Sequence, residues 1–147
     1  METVYKLVRK VPNTFSDNYT FYSTFACKKY VKEYALNQET KPDIGKLFAF
    51  MGPDELSAYV NDPNRGFKLF TGPYDIKYAV LECTTSEIEM VPCGTQFPSI
   101  EPDYDIYWQT LDIKQITSNF IETATIGWVL CPSLMPVRVL TMEEYFK

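Results

Sequence analysis

Glu87 and Glu89, with Ile88 between them, are the first side chains in this chain whose spacing suggests chemistry. In an extended segment alternate residues share a side, so both carboxylates fall on one face. Their repulsion would raise one pKa toward an acid–base value, and a cation could sit between them. The plainer reading is a solvated strand edge opposite Ile88. Other chemistry is narrowed by what is missing. No histidine occurs among the 147 residues, which removes Ser-His-Asp and Cys-His catalysis, imidazole-ligated zinc or haem, and every imidazole acid or base. The four cysteines (Cys27, Cys83, Cys93 and Cys131) form no C-x-x-C pair and lack the close spacing of a four-thiolate zinc site. Six glycines are scattered without a G-x-G-x-x-G or P-loop pattern, excluding P-loop nucleotide hydrolysis. Cys27 precedes Lys28 and Lys29, whose charge would favour a thiolate. A lone thiol more often serves as a small apolar core residue. No cofactor and no metal are expected.

A second group of residues suits binding. The net charge is −5, but residues 1–50 carry +3 and residues 51–147 carry −8. Between Tyr78 and Ile113 lie seven acids and no Lys or Arg. Within that span Glu101, Asp103, Tyr104, Asp105, Tyr107 and Trp108 interleave carboxylates with large rings. Such a stretch could dock a protein partner with a basic surface, the rings supplying affinity and the charges steering encounter. A solvated acidic edge is the alternative. An acidic chain is a poor nucleic-acid binder on electrostatics alone, although Lys28, Lys29 and Lys32 form a local basic cluster.

These residues must be positioned by elements that the pattern partly reveals. Leu47–Met51 is a short apolar run, and Gly52-Pro53 breaks it before a helical stripe at Leu56, Tyr59 and Val60. A strand, a turn and a helix are therefore expected over 45–60. Val4–Val11 alternates and Tyr19–Ala26 is rich in aromatic and β-branched residues, so both read as strands that could pair as a hairpin. Residues 27–36 fit either a helix or a strand, and Asn37–Gly45 reads as polar loop. Phe67–Phe70, Ile76–Thr84, Ser86–Val91, Asp105–Thr110, Ile126–Cys131 and Pro136–Leu140 read as strands. Residues 94–103 read as a long loop. Leu111, Ile113, Ile116 and Phe120 suggest a helix, and Thr141 with Glu144 makes a capping box. No repeat or linker divides the chain. The expectation is an α+β single domain over 1–147, with a mostly antiparallel twisted sheet and two or three short helices. The start METVYKLVRK has no signal-peptide pattern, and no apolar run is long enough for a membrane span; a cytoplasmic protein with reduced thiols is expected.

The order of Arg9 on the first strand, Tyr22-Ser23-Thr24 on the next and Glu89 later resembles the Arg, Ser-Thr and Glu signature of ADP-ribosyltransferases. That resemblance implies a nucleotide held among Arg9, Ser23 and Glu89. The chain departs from the family in the short interval between Arg9 and Ser23 and in Phe25, which stands where the family has a second Ser. The layout as a whole resembles small bacteriophage and mobile-element proteins. It rests on the basic first strand YKLVRK, YSTFA, GKLFAF followed by a helix with buried Ala58-Tyr59, and a closing MPVRVL. This likeness implies a host-directed binding role, such as an inhibitor of a host factor. Two functions follow: a non-catalytic acidic binding protein, or a transferase-like enzyme or nucleotide sequesterer.

Overall fold

The computed structural model describes residues 1–13, 18–23, 31–60, 78–98, 107–109 and 121–140. Its ten strands and one helix run in the order β1 (Glu2–Pro12), β2 (Tyr19–Ser23), β3 (Glu33–Tyr34), β4 (Leu47–Phe50), α1 (Pro53–Val60), β5 (Tyr78–Thr85), β6 (Glu89–Met90), β7 (Gln96–Pro98), β8 (Ile121–Thr123), β9 (Trp128–Cys131) and β10 (Met135–Leu140). Residues 107–109 add one helical turn. The main sheet is antiparallel throughout, in the order β10-β5-β1-β4-β9-β6, and β2 pairs with β1 and carries β3. A separate ladder joins β7 to β8. The architecture is α+β around a mostly antiparallel open sheet. Among the described residues, no helix is long and apolar enough to cross a membrane.

β1 organises the sheet. One of its edges pairs with β5 along Glu2–Arg9, while the other meets β4 at Tyr5 and β2 from Val8 to Pro12. Alternation sends Val4, Lys6 and Val8 to one face and Tyr5 and Leu7 to the other. Both faces are covered, because Val4, Val8 and Leu7 are all buried. On the first face, Leu7, Val80, Phe50, Trp128 and Leu130 pack with Leu56 and Tyr59 of α1 and Phe97 of β7. On the second, Val4, Val8, Leu81, Cys83, Ala49, Val129 and Cys131 pack with Tyr34 and Leu134. Beyond β3, the Asn37 N–H donates to the Pro136 carbonyl at 2.7 Å, and Thr40 exchanges main-chain hydrogen bonds with Leu134.

The strand–turn–helix unit forms as its sequence dictates. Pro53 takes the first helical position, the Gly52 carbonyl accepts from the Leu56 N–H at 3.2 Å, and Asp54 and Glu55 face the positive end of the dipole. Leu56 and Tyr59 turn inward, with the Tyr59 ring 5.2 Å from Phe50 and 5.6 Å from Trp128. Ala58, expected to be buried with Tyr59, is exposed, because position 58 lies on the flank turned from the sheet. Gly127 (φ +86°) lets the turn before β9 pass beneath this helix, and a Cβ there would strike the Glu55 side chain. Its carbonyl accepts from the Met51 N–H at 2.8 Å.

Three expectations change. The strand Ser86–Val91 contracts to Glu89–Met90, since only those residues find register with β9. The loop 94–103 contains a strand, β7, because main-chain bonds between Gly94, Thr95 and Ala124 start a ladder and Phe97 enters the aromatic cluster. Residues 107–109 are helical where a strand was expected. Tyr107 and Trp108 are neighbours that both pack on the same cluster, which a strand would forbid by sending them to opposite faces. The strands expected at Phe67–Phe70 and Ala26, the helix over 111–120 and the capping box at Thr141 lie outside the described residues.

Candidate functional site

The described acidic and aromatic candidates meet at one corner of the sheet, where β6, the Gly45–Lys46 approach to β4 and the turn 107–109 converge. Glu87 and Glu89 are both exposed there, and Ile88 between them packs on the second cluster, as alternation requires. The Lys46 Nζ donates to Glu89 Oε2 at 2.9 Å. That hydrogen bond raises the Lys46 pKa, the Glu89 and Glu87 charges add to it, and burial opposes it more weakly. Burial, and then the nearby Glu89 charge, push the Tyr107 phenol above its usual range. The Tyr107 ring meets Phe97 at 5.5 Å and Trp108 at 5.4 Å. Trp108 lies over Gly45, whose φ of +68° and missing side chain admit the indole, and against Phe48 at 6.3 Å. Beside them Met90 is 57% exposed on the two-residue edge strand.

The two acidic candidates of the sequence are therefore neighbours. Tyr107 and Trp108 are half-buried and use one side of each ring to close the aromatic cluster, leaving only their outer parts to a partner. Glu101, Asp103, Tyr104 and Asp105 lie outside the described residues.

Arg9, Ser23 and Glu89 do not come together. Val8 pairs with Ser23 and Arg9 with Tyr22, which places the Arg9 and Ser23 side chains on opposite faces. Ser23 is buried, and its hydroxyl accepts from the Lys32 N–H at 2.9 Å. The Arg9 Nε donates to the Ser23 carbonyl at 3.4 Å. β4 and β9 stand between β1 and the strand carrying Glu89, a separation of roughly 14 Å along the sheet.

The sequence reading missed Lys6. Its ammonium is enclosed by protein although the residue keeps partial contact with solvent, and burial pulls its pKa down to about 8. The Nζ donates to the Phe48 carbonyl at 2.6 Å and lies 5.8 Å from the Tyr34 ring centroid. The available signal was its place between Val4 and Val8 on one strand face, a cation flanked by two apolar side chains. Burial also holds the Cys83 thiol up to about 12 and raises the Cys131 pKa, so both are inert neutral core groups. Cys93 is exposed and Cys27 lies outside the described residues.

No protein-family model, characterised protein or solved structure matches this chain. Any functional reading rests on the corner's own chemistry. Among the described residues, no group of three or more Cys, Asp or Glu side chains could hold a metal ion. What the corner offers is two exposed carboxylates, one of them balanced by a single lysine, next to an exposed thioether and two ring edges.

Proposed function

We propose that this protein is a non-catalytic binding module that captures a protein partner with a basic surface at the corner formed by Glu87, Glu89, Met90, Tyr107 and Trp108. The observation that carries the reading is that Trp108 lies over Gly45, next to Lys46, whose Nζ pairs with Glu89 at 2.9 Å. It joins the acid pair to the aromatic stretch that begins at Glu101. Rings with one side fixed in a core and the other side outward make rigid anchors, since little rotamer freedom remains to be lost on binding. The carboxylates around them steer a cationic partner and suppress anionic ones. Among the described residues β6 is the last strand of the sheet, and a short edge strand adds a further means of contact through its main chain. The pattern resemblance to bacteriophage and mobile-element proteins supports a host-directed role in the cytoplasm, with a host factor as the target.

The test is capture from lysate of the native host by wild type and by Glu87→Lys/Glu89→Lys, compared by mass spectrometry at low and moderate salt. A protein of basic surface retained by wild type, lost on charge reversal and weakened by salt is the expected result. An identical captured set from both proteins would discard the site. Asp103→Lys/Asp105→Lys extends the test to the adjoining stretch.

A further inference from the structure

The β1–β2 hairpin ends in a patch whose charge is opposite to that of the corner. β5 accompanies β1 only as far as Arg9, so among the described residues Lys10, Val11 and Pro12 have β2 alone beside them. The hairpin end is held by its own bonds. The Asn13 N–H donates to the Asn18 carbonyl at 2.9 Å, and the Thr20 hydroxyl donates to Asn13 Oδ1 at 2.7 Å. Each face carries a cation beside an apolar side chain. On one, Arg9 is exposed and shares its side with Val11, 40% exposed. On the other, the Lys10 Nζ lies 5.2 Å from the ring centroid of Tyr19, a residue 44% exposed. Among the described residues, no carboxylate pairs with Arg9 or Lys10; Asp17 lies outside them.

The corner complements this patch, setting Glu87 and Glu89 beside the exposed Met90 and the outer parts of Tyr107 and Trp108. The two patches do not meet within one chain, because β4 and β9 hold β6 roughly 14 Å from β1. We propose that a second copy of this chain is a partner of the corner, the hairpin end of each copy docking on the corner of the other. The inference rests on the corner being a docking site and names the basic surface it takes. β2 and β4 share one edge of β1, with β9 and β6 beyond β4, so both patches lie to the same side of β1. Two copies related by a two-fold axis make both contacts at once, and the assembly closes as a dimer. Arg9 and Lys10 then face carboxylates and set the register, while Val11 and Tyr19 cover Met90 and the ring edges. A hairpin end already fixed by its turn bonds loses little freedom on docking.

Sedimentation equilibrium of the full chain at low salt, over about 1–300 μM, tests it. The expected result is a monomer–dimer equilibrium that weakens as salt is added. Arg9→Glu/Lys10→Glu and Glu87→Lys/Glu89→Lys, each checked for a wild-type circular dichroism spectrum, should weaken dimerisation about a hundredfold, because like charges then face each other. An equal mixture of the two variants should regain the dimer. In it the reversed hairpin meets the reversed corner at one contact, and the native hairpin meets the native corner at the other. A wild type that is monomeric throughout would overturn the proposal. So would a dimer indifferent to both reversals, or a mixture of folded variants that does not recover it. A monomeric chain that still loses a captured basic protein on Glu87→Lys/Glu89→Lys would sink this inference and leave the corner's role standing.

Discussion

The main sheet separates two cores of different character. On one face seven of the described rings meet edge to face or stacked, with Trp128 within 6.2 Å of Phe48, Phe50, Tyr59 and Phe97. On the other face Val, Leu and Ala side chains close around two thiols and one amine. The aromatic face reaches the surface at Tyr107 and Trp108 and so grades into the proposed docking corner. On the aliphatic side, the chain after β3 reaches β10 instead. Rings can serve both core and surface, because one side of a rigid plane packs while the other remains available. A cation among aliphatic groups has no such freedom, and its protonation equilibrium gives way instead.

The sharpest way to break this contrast is Trp128→Ala. Trp128 is buried and shared by four ring contacts, so its loss should cost about 3–5 kcal/mol. A urea-unfolding midpoint near that of wild type would show that the aromatic face is not the main source of stability.

Lys6→Met probes the other face and should act in the opposite direction. It removes a desolvated charge and is expected to stabilise the fold at pH 7 by up to about 3 kcal/mol, less the lost hydrogen bond to Phe48. The pH dependence gives an independent check. The folded pKa of about 8 lies below the ordinary 10.5, so above pH 8 the unfolded chain holds the proton that the native state has released. Wild-type stability therefore rises with pH, by about 1.4 kcal/mol per unit. Cys83, held protonated to about 12 against an ordinary 9, works the other way above pH 9, which confines the net rise to about pH 8–9. Lys6→Met should lack that rise. A wild-type curve that is flat or falling across pH 8–9 would contradict an enclosed ammonium.

Gly45→Ala tests the junction between core and corner. It forces a side chain into the space of the Trp108 ring at a φ of +68°, for an expected loss of about 1–3 kcal/mol with altered Trp fluorescence. The smallest effect belongs to Lys46→Ala. It deletes a surface pair with Glu89 worth less than about 1 kcal/mol, and it should leave the urea midpoint almost unmoved while making the corner more acidic.

Much of the local architecture was legible in the chain. Gly52-Pro53 after an apolar run can only end a strand, and the Leu56–Tyr59 spacing turns the helix back on it. Alternation in Val4–Val11 and the ring-rich Tyr19–Ala26 pointed to a hairpin, whose register the structure supplies over Tyr19–Ser23. Histidine's absence, a property of composition alone, removed whole classes of catalysis. Non-local facts had no such signal. Whether Arg9, Ser23 and Glu89 converge depends on strand order, and strand order depends on which distant edges pair, a choice that no short-range pattern encodes. The helical turn at Tyr107–Trp108 arises because both rings find room in one cluster. The unusual state of Lys6 follows only once β3, β5 and β9 have closed over its face, since a side chain's solvation is set by its neighbours in space.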